Sequence, residues 1–406
     1  MKPSRTYLLW TLGLLTAFGP YITDLYLSSL PEQVEYFSTV PAKVQLGLTS
    51  SMMGLAAGQL VIGPLSDRWG RRPLLLTCLA VFTVITVLAI FSADIDSFIG
   101  WRFLQGAAGA SGIVLSRSMA TDRFEGRDLV NAMGTMGSVN GIAPVTAPII
   151  GAALASVTDW RGIFVVLCLI GAALFAMSLR IPETLEPGRR SRRGLLAVFG
   201  TLFTVFRDRG FSLIVAQQCM AFALLFGYIA SSPFILQRIY GLSGLGFSLC
   251  FGFNALGIGL GAAYAGRQGS PLRTLCHGSA AVMCGSLLTA AALFLQAPLL
   301  LLEPLFFLTL MALGLTFPTA SAVAMSRQRK LAGAASAVLG ASGFVTGGIV
   351  SPLAGIGDIA VSTGIVLGAA GFGTWALAQL CRCYLEKRPE QDSRGNPVDF
   401  GRSAGR

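Results

Sequence analysis

The sequence predicts an all-α membrane protein with twelve transmembrane helices in two pseudo-symmetric six-helix halves. Of its 406 residues, 53% are hydrophobic and only 12% are charged, whereas a typical soluble domain has about 25% charged residues. Long apolar segments recur about every 30 residues, and each is close to the roughly 20 residues that a helix needs to cross a bilayer. The predicted spans are about 8–30, 43–62, 74–92, 97–116, 129–151, 160–181, 211–236, 246–265, 273–294, 298–317, 332–353 and 360–381.

The positive charges are concentrated on one side of these spans. A net charge of +11 could indicate a nucleic-acid-binding protein, so the location of the charges has to decide. With both termini in the cytoplasm, all but four of the 30 Lys and Arg residues fall on the cytoplasmic side. Lys43, Arg161 and Arg238 fall on the outer side, and Arg102 lies inside a span. This asymmetry follows the positive-inside rule and predicts an even number of spans with both termini cytoplasmic.

Polar segments divide the chain into four parts. An N-terminal half covers residues 1–182 and a C-terminal half covers 211–384, joined by a cytoplasmic linker at 183–210. The tail at 385–406 is polar, and we expect it to be disordered. Arginine next to anionic lipid is the ordinary explanation for the charge of the linker. The linker arginines are Arg189, Arg190, Arg192, Arg193, Arg207 and Arg209.

A short internal repeat relates the two halves. Ala147-Pro-Ile-Ile-Gly151 in the fifth span corresponds to Ser351-Pro-Leu-Ala-Gly355 in the eleventh span, at an offset of 204 residues. The two segments occupy the same position within their halves. Duplicated six-span halves suit a transporter in which one half rocks against the other.

A segment dense in charge, Gly63-Pro-Leu-Ser-Asp-Arg-Trp-Gly-Arg-Arg-Pro73, joins the second and third spans. Gly63 and Gly70 permit backbone geometry that a Cβ would obstruct. Asp67 can accept hydrogen bonds from a helix N-terminus or pair with an arginine. We therefore predict a cytoplasmic gating loop whose contacts form in one state and break in another. Its arginines are Arg68, Arg71 and Arg72.

Two ionisable residues lie inside predicted spans, where such groups are costly and usually functional. Asp24 is about 9 Å from the outer end of the first span, and Arg102 is about 8 Å from the outer end of the fourth, by helical rise. The two are therefore at comparable depth. A carboxylate whose charge is set by burial and a nearby cation can couple proton flow to transport. The alternative is a permanent salt bridge that fastens the two spans together.

Several motifs resemble those of the major facilitator superfamily. The charged segment matches the signature G-x-L-x-D-R-x-G-R-R/K at Gly63, Leu65, Asp67, Arg68, Gly70, Arg71 and Arg72. Arg102, Gln105 and Gly106 resemble the span-four signature of proton-coupled members, in which the arginine is implicated in proton transfer. Pro148 and Gly151, following Ala147, are similar to the span-five signature G-P-x-x-G of the antiporter branch. The resemblance implies that Pro148 and Gly151 shape a gate in the fifth span.

The resemblance extends to one group within that superfamily. Asp24-Leu-Tyr-Leu with Leu30-Pro31, Pro182-Glu-Thr184 and Ser231-Ser-Pro-Phe234 look like the bicyclomycin-resistance and chloramphenicol-exporter group. Ser28 departs from the pattern, because many members have proline there. The resemblance implies export of drugs in exchange for protons.

Candidate substrate-binding residues come from five spans. A site for a drug-sized molecule is mostly apolar and aromatic, with few polar groups. Glu303, followed by Pro304, is a protonatable or cation-attracting candidate, although at its depth it could instead reach interfacial water. The candidates are Tyr21, Gln105, Phe226, Asn254 and Glu303.

We expect a proton-coupled efflux transporter for small amphipathic molecules or drugs that works by alternating access. The nearest alternative is a proton-coupled transporter of one metabolite, such as a nucleobase, nucleoside or sugar. A membrane scaffold or sensor is a more distant alternative, and the charges in the spans count against it. An enzyme is the least favoured class, because the chain has no Walker loop, His/Cys ligand cluster or serine-nucleophile motif.

A proton-coupled transporter implies further properties of the protein. We expect no cofactor, because the proton gradient supplies the energy, and no catalytic or metal site. The expected partners are the transported molecule, protons and membrane lipid, without nucleic acid, and we expect a monomer. The expected location is the bacterial inner membrane, on the resemblance alone.

Overall fold

The computed structural model describes residues 4–124, 126–186, 204–328 and 331–387. The predicted tail beyond residue 387 and the linker arginines Arg189, Arg190, Arg192 and Arg193 lie outside the described residues. The helices are α1 (Arg5–Asp24), α2 (Leu30–Tyr36), α3 (Pro41–Trp69), α4 (Arg71–Ile90), α5 (Ile95–Arg123), α6 (Gly126–Ala155), α7 (Trp160–Ser178), α8 (Arg209–Phe234), α9 (Gly244–Ala265), α10 (Pro271–Phe294), α11 (Leu299–Arg327), α12 (Ala332–Leu353) and α13 (Ile359–Lys387).

Eleven helical segments of the described chain are long and apolar enough to cross a membrane. The first of them, Arg5–Tyr36, combines α1, a 3₁₀ turn at Leu27–Ser29 and α2. The predicted fourth span, 97–116, lies within α5, which has 29 residues but is less apolar than the others. Arg102, Gln105 and Ser116 interrupt its apolar sequence and are all buried. The all-α membrane fold is as predicted.

The segment from Gly63 to Pro73 differs from the predicted loop. α3 continues to Trp69 with Pro64 inside it, and α4 begins at Arg71, so Gly70 is the single residue between the two helices. Gly70 has a φ of 101°, a conformation that side chains with a Cβ adopt only with strain. The prediction of a loop was wrong because low hydropathy marks where a helix leaves the apolar layer. A helix can continue beyond that point in water.

The chain divides into two compact units. The first comprises the described residues of 1–198 together with 232–252, and the second comprises those of 199–231 and 253–406. In the first unit, α1 packs against α5 and α6, α3 packs against α5, and α4 packs against α5 and α7. In the second unit, α10 packs against α11 and α13. Division at residues 182, 210 and 384 stays a prediction.

Glycines allow two helix pairs to cross with their backbones in contact. A Cβ at Gly106 of α5 would lie 2.1 Å from the carbonyl oxygen of Ser51 in α3. A Cβ at Gly314 of α11 would lie 2.1 Å from the carbonyl oxygen of Ile258 in α9. Small residues permit such close approach between membrane helices. These pairs are the second and fourth predicted spans of each half, so the crossing recurs in the two halves of the predicted repeat.

We expect Gly106→Ala to lower the free energy of unfolding by about 1–3 kcal/mol, because the added methyl group overpacks the contact with α3. The matched control is Gly100→Ala in the same helix, where no neighbouring atom of the described residues lies within 4 Å of the new Cβ. Thermal unfolding of the detergent-purified variants measures the difference. Equal melting temperatures for the two variants would contradict the close crossing of α3 and α5.

Candidate functional site

The first element of the site is the interruption of the first span at Asp24. α1 ends at this residue, and the chain passes through the 3₁₀ turn before α2 begins with Pro31 in its first turn. Asp24 is only 5% exposed. The hydroxyl of Thr23 donates a hydrogen bond of 2.7 Å to its Oδ1 atom. The buried carboxylate of Asp24 therefore lies at the point where α1 ends and the 3₁₀ turn follows.

Arg102 of α5 is fully buried and contacts α1 beside Asp24. Its Nη2 atom donates a hydrogen bond of 2.9 Å to the carbonyl oxygen of Ile22, and its Nη1 atom donates to Gln105. The guanidinium carbon lies 4.5 Å from the centroid of the Tyr26 ring and 5.4 Å from that of Phe164. Hydrogen bonds and cation–π contacts thus hold the cation against the interrupted helix.

Asp24 and Arg102, predicted to lie at similar depth, belong to one site without bonding each other. Arg102 is bonded to the backbone two residues before Asp24, and its guanidinium is stacked on the ring two residues after it. Among the ion pairs between described residues, none joins the two side chains. The alternative of a permanent salt bridge is therefore not realised in this conformation.

Gln105 connects Arg102 to α4. Its Nε2 atom donates a hydrogen bond of 2.7 Å to the hydroxyl of Thr86, which in turn donates to the carbonyl oxygen of Phe82 at 2.7 Å. Gln105 was predicted to bind substrate, but its amide is bonded within the protein on both sides. Thr86 could not be identified from the sequence, because single threonines are common in apolar spans.

α6 supports α1 on both sides of Asp24. A Cβ at Gly151 would lie 1.7 Å from the carbonyl oxygen of Leu25, so the two backbones touch just after Asp24. One turn before Asp24, the hydroxyl of Tyr21 lies 3.0 Å from that of Thr146. Tyr21, a predicted substrate-binding residue, is half-buried.

Pro148 lies in α6 one turn before Gly151. Proline has no N–H group, so the usual helical hydrogen bond to the carbonyl of Pro144 is missing at this turn. The carbonyl oxygen of Pro148 accepts a hydrogen bond of 2.8 Å from the hydroxyl of Ser248. The helix that touches the break in α1 is therefore itself weakened beside the contact.

A second cluster, of charged residues, joins the ends of α3, α4 and α5. Arg71 contacts Asp67 at 2.6 Å and Asp122 at 3.1 Å. The carboxylate of Glu183 accepts hydrogen bonds of 3.1 and 3.3 Å from the backbone N–H groups of Arg71 and Arg72, the first residues of α4. It thereby caps a helix N-terminus, where negative charge is stabilising. All of these contacts lie within the first unit.

Two other predicted residues of the Gly63–Pro73 segment, Arg68 and Gly63, are less closely packed. Arg68 is exposed. At Gly63, a Cβ would meet the nearest atom, of Val114, at an ordinary distance of 3.7 Å. Asp122 was not predicted, because nothing in the neighbouring sequence indicates a partner 51 residues away.

In the part of the chain that the structure describes, no group of three or more His, Cys, Asp or Glu side chains could hold a metal ion.

The remaining predicted substrate-binding residues lie in the second unit. The Nδ2 atom of Asn254 donates hydrogen bonds of 2.9 Å to the hydroxyl of Tyr228 and 2.9 Å to Oε1 of Glu303. Asn254 and Glu303 are thus brought together, with Tyr228 as a third member. Phe226 is stacked with Phe222, at a centroid distance of 6.0 Å.

We expect Glu183→Ala to lower the free energy of unfolding by about 0.5–2 kcal/mol, because the first N–H groups of α4 lose their cap. The matched control is Glu186→Ala, which removes an exposed carboxylate three residues further on. Thermal unfolding in detergent measures both. If the control is as destabilised as Glu183→Ala, the capping assignment is wrong.

We expect Arg102→Lys to lower the free energy of unfolding by about 2–5 kcal/mol. The ammonium group of lysine cannot donate hydrogen bonds to both Gln105 and the carbonyl of Ile22 in the geometry of the guanidinium. Arg382→Lys is the control, since Arg382 forms an exposed pair with Glu386 on its own helix. Its melting temperature should equal that of the unmodified protein. Wild-type stability of Arg102→Lys would show that the contacts to Ile22 and Gln105 contribute little.

The fold is that of known transporters. The crystal structure of a bacterial homolog of the human lysosomal transporter Spinster, in an inward-facing and unoccupied conformation, matches with a TM-score of 0.70. The sequence identity is 16%, and the match covers 95% of this chain and 96% of the other. At such identity the likeness shows the fold alone.

Three relatives are similar in sequence over most of their length. An uncharacterized MFS-type transporter of Bacillus subtilis, YdgK, is 34% identical, over 94% of this chain and 96% of its own. Multidrug resistance protein D of Escherichia coli is 28% identical, over 98% of this chain and all of its own. A bicyclomycin resistance protein homolog of Haemophilus influenzae is 28% identical, over 84% of this chain and 87% of its own.

The family itself is shown by a match over most of the chain. The sequence model of the Major Facilitator Superfamily matches residues 9–352, a range that includes Asp24, Arg102 and Glu303. The resemblance to this superfamily and to its drug-resistance transporters is confirmed, as is the expectation of a transporter and not an enzyme. The chain belongs to the Major Facilitator Superfamily.

Proposed function

We propose that this transporter exports small amphipathic molecules in exchange for protons, by alternating access. The names of two relatives, a multidrug resistance protein and a bicyclomycin resistance protein homolog, support drug efflux as the coarser function. The observation that carries the proton-coupled part is the buried carboxylate of Asp24, at an interrupted membrane helix and beside Arg102 without an ion pair to it.

Asp24 is proposed as the residue that carries the proton. An ionised carboxylate inside a membrane is costly, so it pairs with a cation or exchanges a proton. The Thr23 hydroxyl is a short, local partner that can stay bonded to the carboxylate whether or not it is protonated. The interruption after Asp24 lets the side chain change its surroundings without unwinding a continuous helix.

Arg102 is proposed to tune the charge of Asp24 from its place on α5. Its bonds to the carbonyl of Ile22 and to Gln105 fix the guanidinium against α1, so a displacement of α1 relative to α5 must stretch them. Such a displacement changes the distance between the cation and the carboxylate. Because the surroundings are apolar, a small change in that distance has a large electrostatic effect.

The other predicted residues receive gating roles in this proposal. The segment Gly63–Arg72 acts as the latch of a cytoplasmic gate, and its ion pair with Asp122 of α5 and its backbone hydrogen bonds to Glu183 supply contacts that can break. Pro148 and Gly151 shape the movement of α6 against the break in α1. The proposed setting is a monomer in a bacterial inner membrane with both termini cytoplasmic, in contact with lipid and powered by the proton gradient without a bound cofactor.

We expect Asp24→Asn to reduce substrate-triggered proton movement at least tenfold, because an amide cannot take up a proton at physiological pH. The measurement uses proteoliposomes with an imposed pH gradient and an internal pH dye, with chloramphenicol and a panel of nucleosides and sugars as substrates. The control is Asp96→Asn, which removes a carboxylate that is 72% exposed and pairs with Lys43. Its proton movement should match that of the unmodified protein.

Two outcomes would overturn parts of this proposal. Full, pH-dependent transport by Asp24→Asn would remove the coupling role from Asp24. Movement of proton and substrate in the same direction would exclude export by exchange, and would favour the uptake of a metabolite.

A further inference from the structure

Tyr228, Asn254 and Glu303 form a connected polar group in the second unit, which we call the Glu303 cluster. We propose that it binds the positively charged nitrogen of a transported molecule, so that basic amphipathic amines are among the substrates. The inference rests on the proposed export function, but it concerns a site in the other compact unit from Asp24.

The three residues come from three membrane helices and meet near the same ends of them. Tyr228 precedes the end of α8 by about 9 Å, Asn254 follows the start of α9 by about 15 Å, and Glu303 follows the start of α11 by about 6 Å, by helical rise. Tyr228 and Asn254 are 3% and 0% exposed, and Glu303 is half-buried. The cluster thus combines a half-buried glutamate with a fully buried asparagine.

The bonding within the cluster fixes the direction of the amide. An ionised carboxylate can only accept hydrogen bonds, so the Asn254 atom 2.9 Å from Glu303 must be the Nδ2 donor. The same Nδ2 atom donates to the hydroxyl of Tyr228. The Oδ1 atom of Asn254 therefore points away from both, and it is buried with no hydrogen-bond partner among the described residues.

A buried acceptor of this kind calls for a donor. An ammonium group carries several N–H donors and a positive charge, so it suits an amide oxygen together with a carboxylate. A neutral hydroxyl group could satisfy the amide oxygen but would gain nothing from the charge of Glu303. The chemistry of the cluster therefore favours a cation over a neutral ligand.

Aromatic rings beside the cluster add to this preference. The ring of Tyr228 packs against that of Phe306, with centroids 5.1 Å apart. Phe306 follows Glu303 by three residues, so both project from the same face of α11. Ring faces attract cations and also contact apolar parts of a ligand. A carboxylate, an amide oxygen and two rings together suit an amphipathic amine.

The test compares two fluorescent probes that differ in one group. Dansylcadaverine ends in a primary ammonium, and N-hexyl dansylamide has a methyl group in its place. Binding to the detergent-purified protein is measured by fluorescence titration. We expect the unmodified protein to bind the amine at least tenfold more tightly than the neutral probe. Glu303→Gln should abolish this preference while it changes affinity for the neutral probe by less than twofold.

Further variants separate recognition from folding. Glu303→Asp keeps the charge and should retain part of the preference, and Asp96→Asn should retain all of it. The inference is overturned if Glu303→Gln still prefers the amine, if the unmodified protein shows no preference or binds neither probe, or if Glu303→Gln loses both probes together with a lower melting temperature.

The proton assay on Asp24→Asn separates this inference from the proposed function. An amine preference that depends on Glu303, in a protein without proton counterflow, would support the cluster and reject exchange. Proton counterflow that depends on Asp24, without any amine preference, would do the opposite. If Glu303→Gln abolishes proton counterflow for the neutral substrate chloramphenicol as well, Glu303 is a coupling residue, and its assignment to amine recognition is wrong.

Discussion

A charged side chain inside a membrane must find its partners within the protein, and Arg102 finds them in the backbone of a neighbouring helix. Its bond to the carbonyl of Ile22 ties α5 to α1 immediately before the point where α1 stops being helical. The remaining features of the site depend on this tie. Gln105 orients the guanidinium, Thr86 orients Gln105, and the Tyr26 ring stacks on the cation.

Such ties are possible only where helices approach closely. Glycine at position 151 lets α6 touch the carbonyl of Leu25, and glycine at position 106 lets α5 touch α3 next to Gln105. The same helices therefore carry both small and polar residues. The small residues set the distance between the helices, and the polar residues form hydrogen bonds across it. Loss of either kind would disturb the other.

Much of the fold could be predicted from the sequence, because the length and apolar composition of the spans follow from the thickness of a bilayer. The common depth of Asp24 and Arg102 was also predictable from helical rise. Their lack of a direct bond was not, since depth gives no information on the direction in which a side chain leaves its helix. Hydropathy likewise misplaced the end of α3, because it records the edge of the membrane and not the end of hydrogen bonding.

The partners of the charged groups were the least predictable part. Thr86, Asp122 and Tyr228 each complete a cluster from a different helix, at separations of 19, 51 and 26 residues from their partners, and no periodicity links them to it. Asn254 and Glu303 were identified one by one as polar exceptions in apolar spans, while their bond depends on how α9 and α11 are rotated. Side-chain type indicates that a partner is needed, and only the packing identifies it.

The single residue between α3 and α4 has a mechanical consequence. Two long helices that meet at Gly70 share one joint, and Arg71 braces that joint by holding Asp67 of α3 and Asp122 of α5 at once. A rotation of α4 about Gly70 would have to break the ion pairs of Arg71 with Asp67 and with Asp122. The proposed gating movement of this region therefore requires both ion pairs of Arg71 to break.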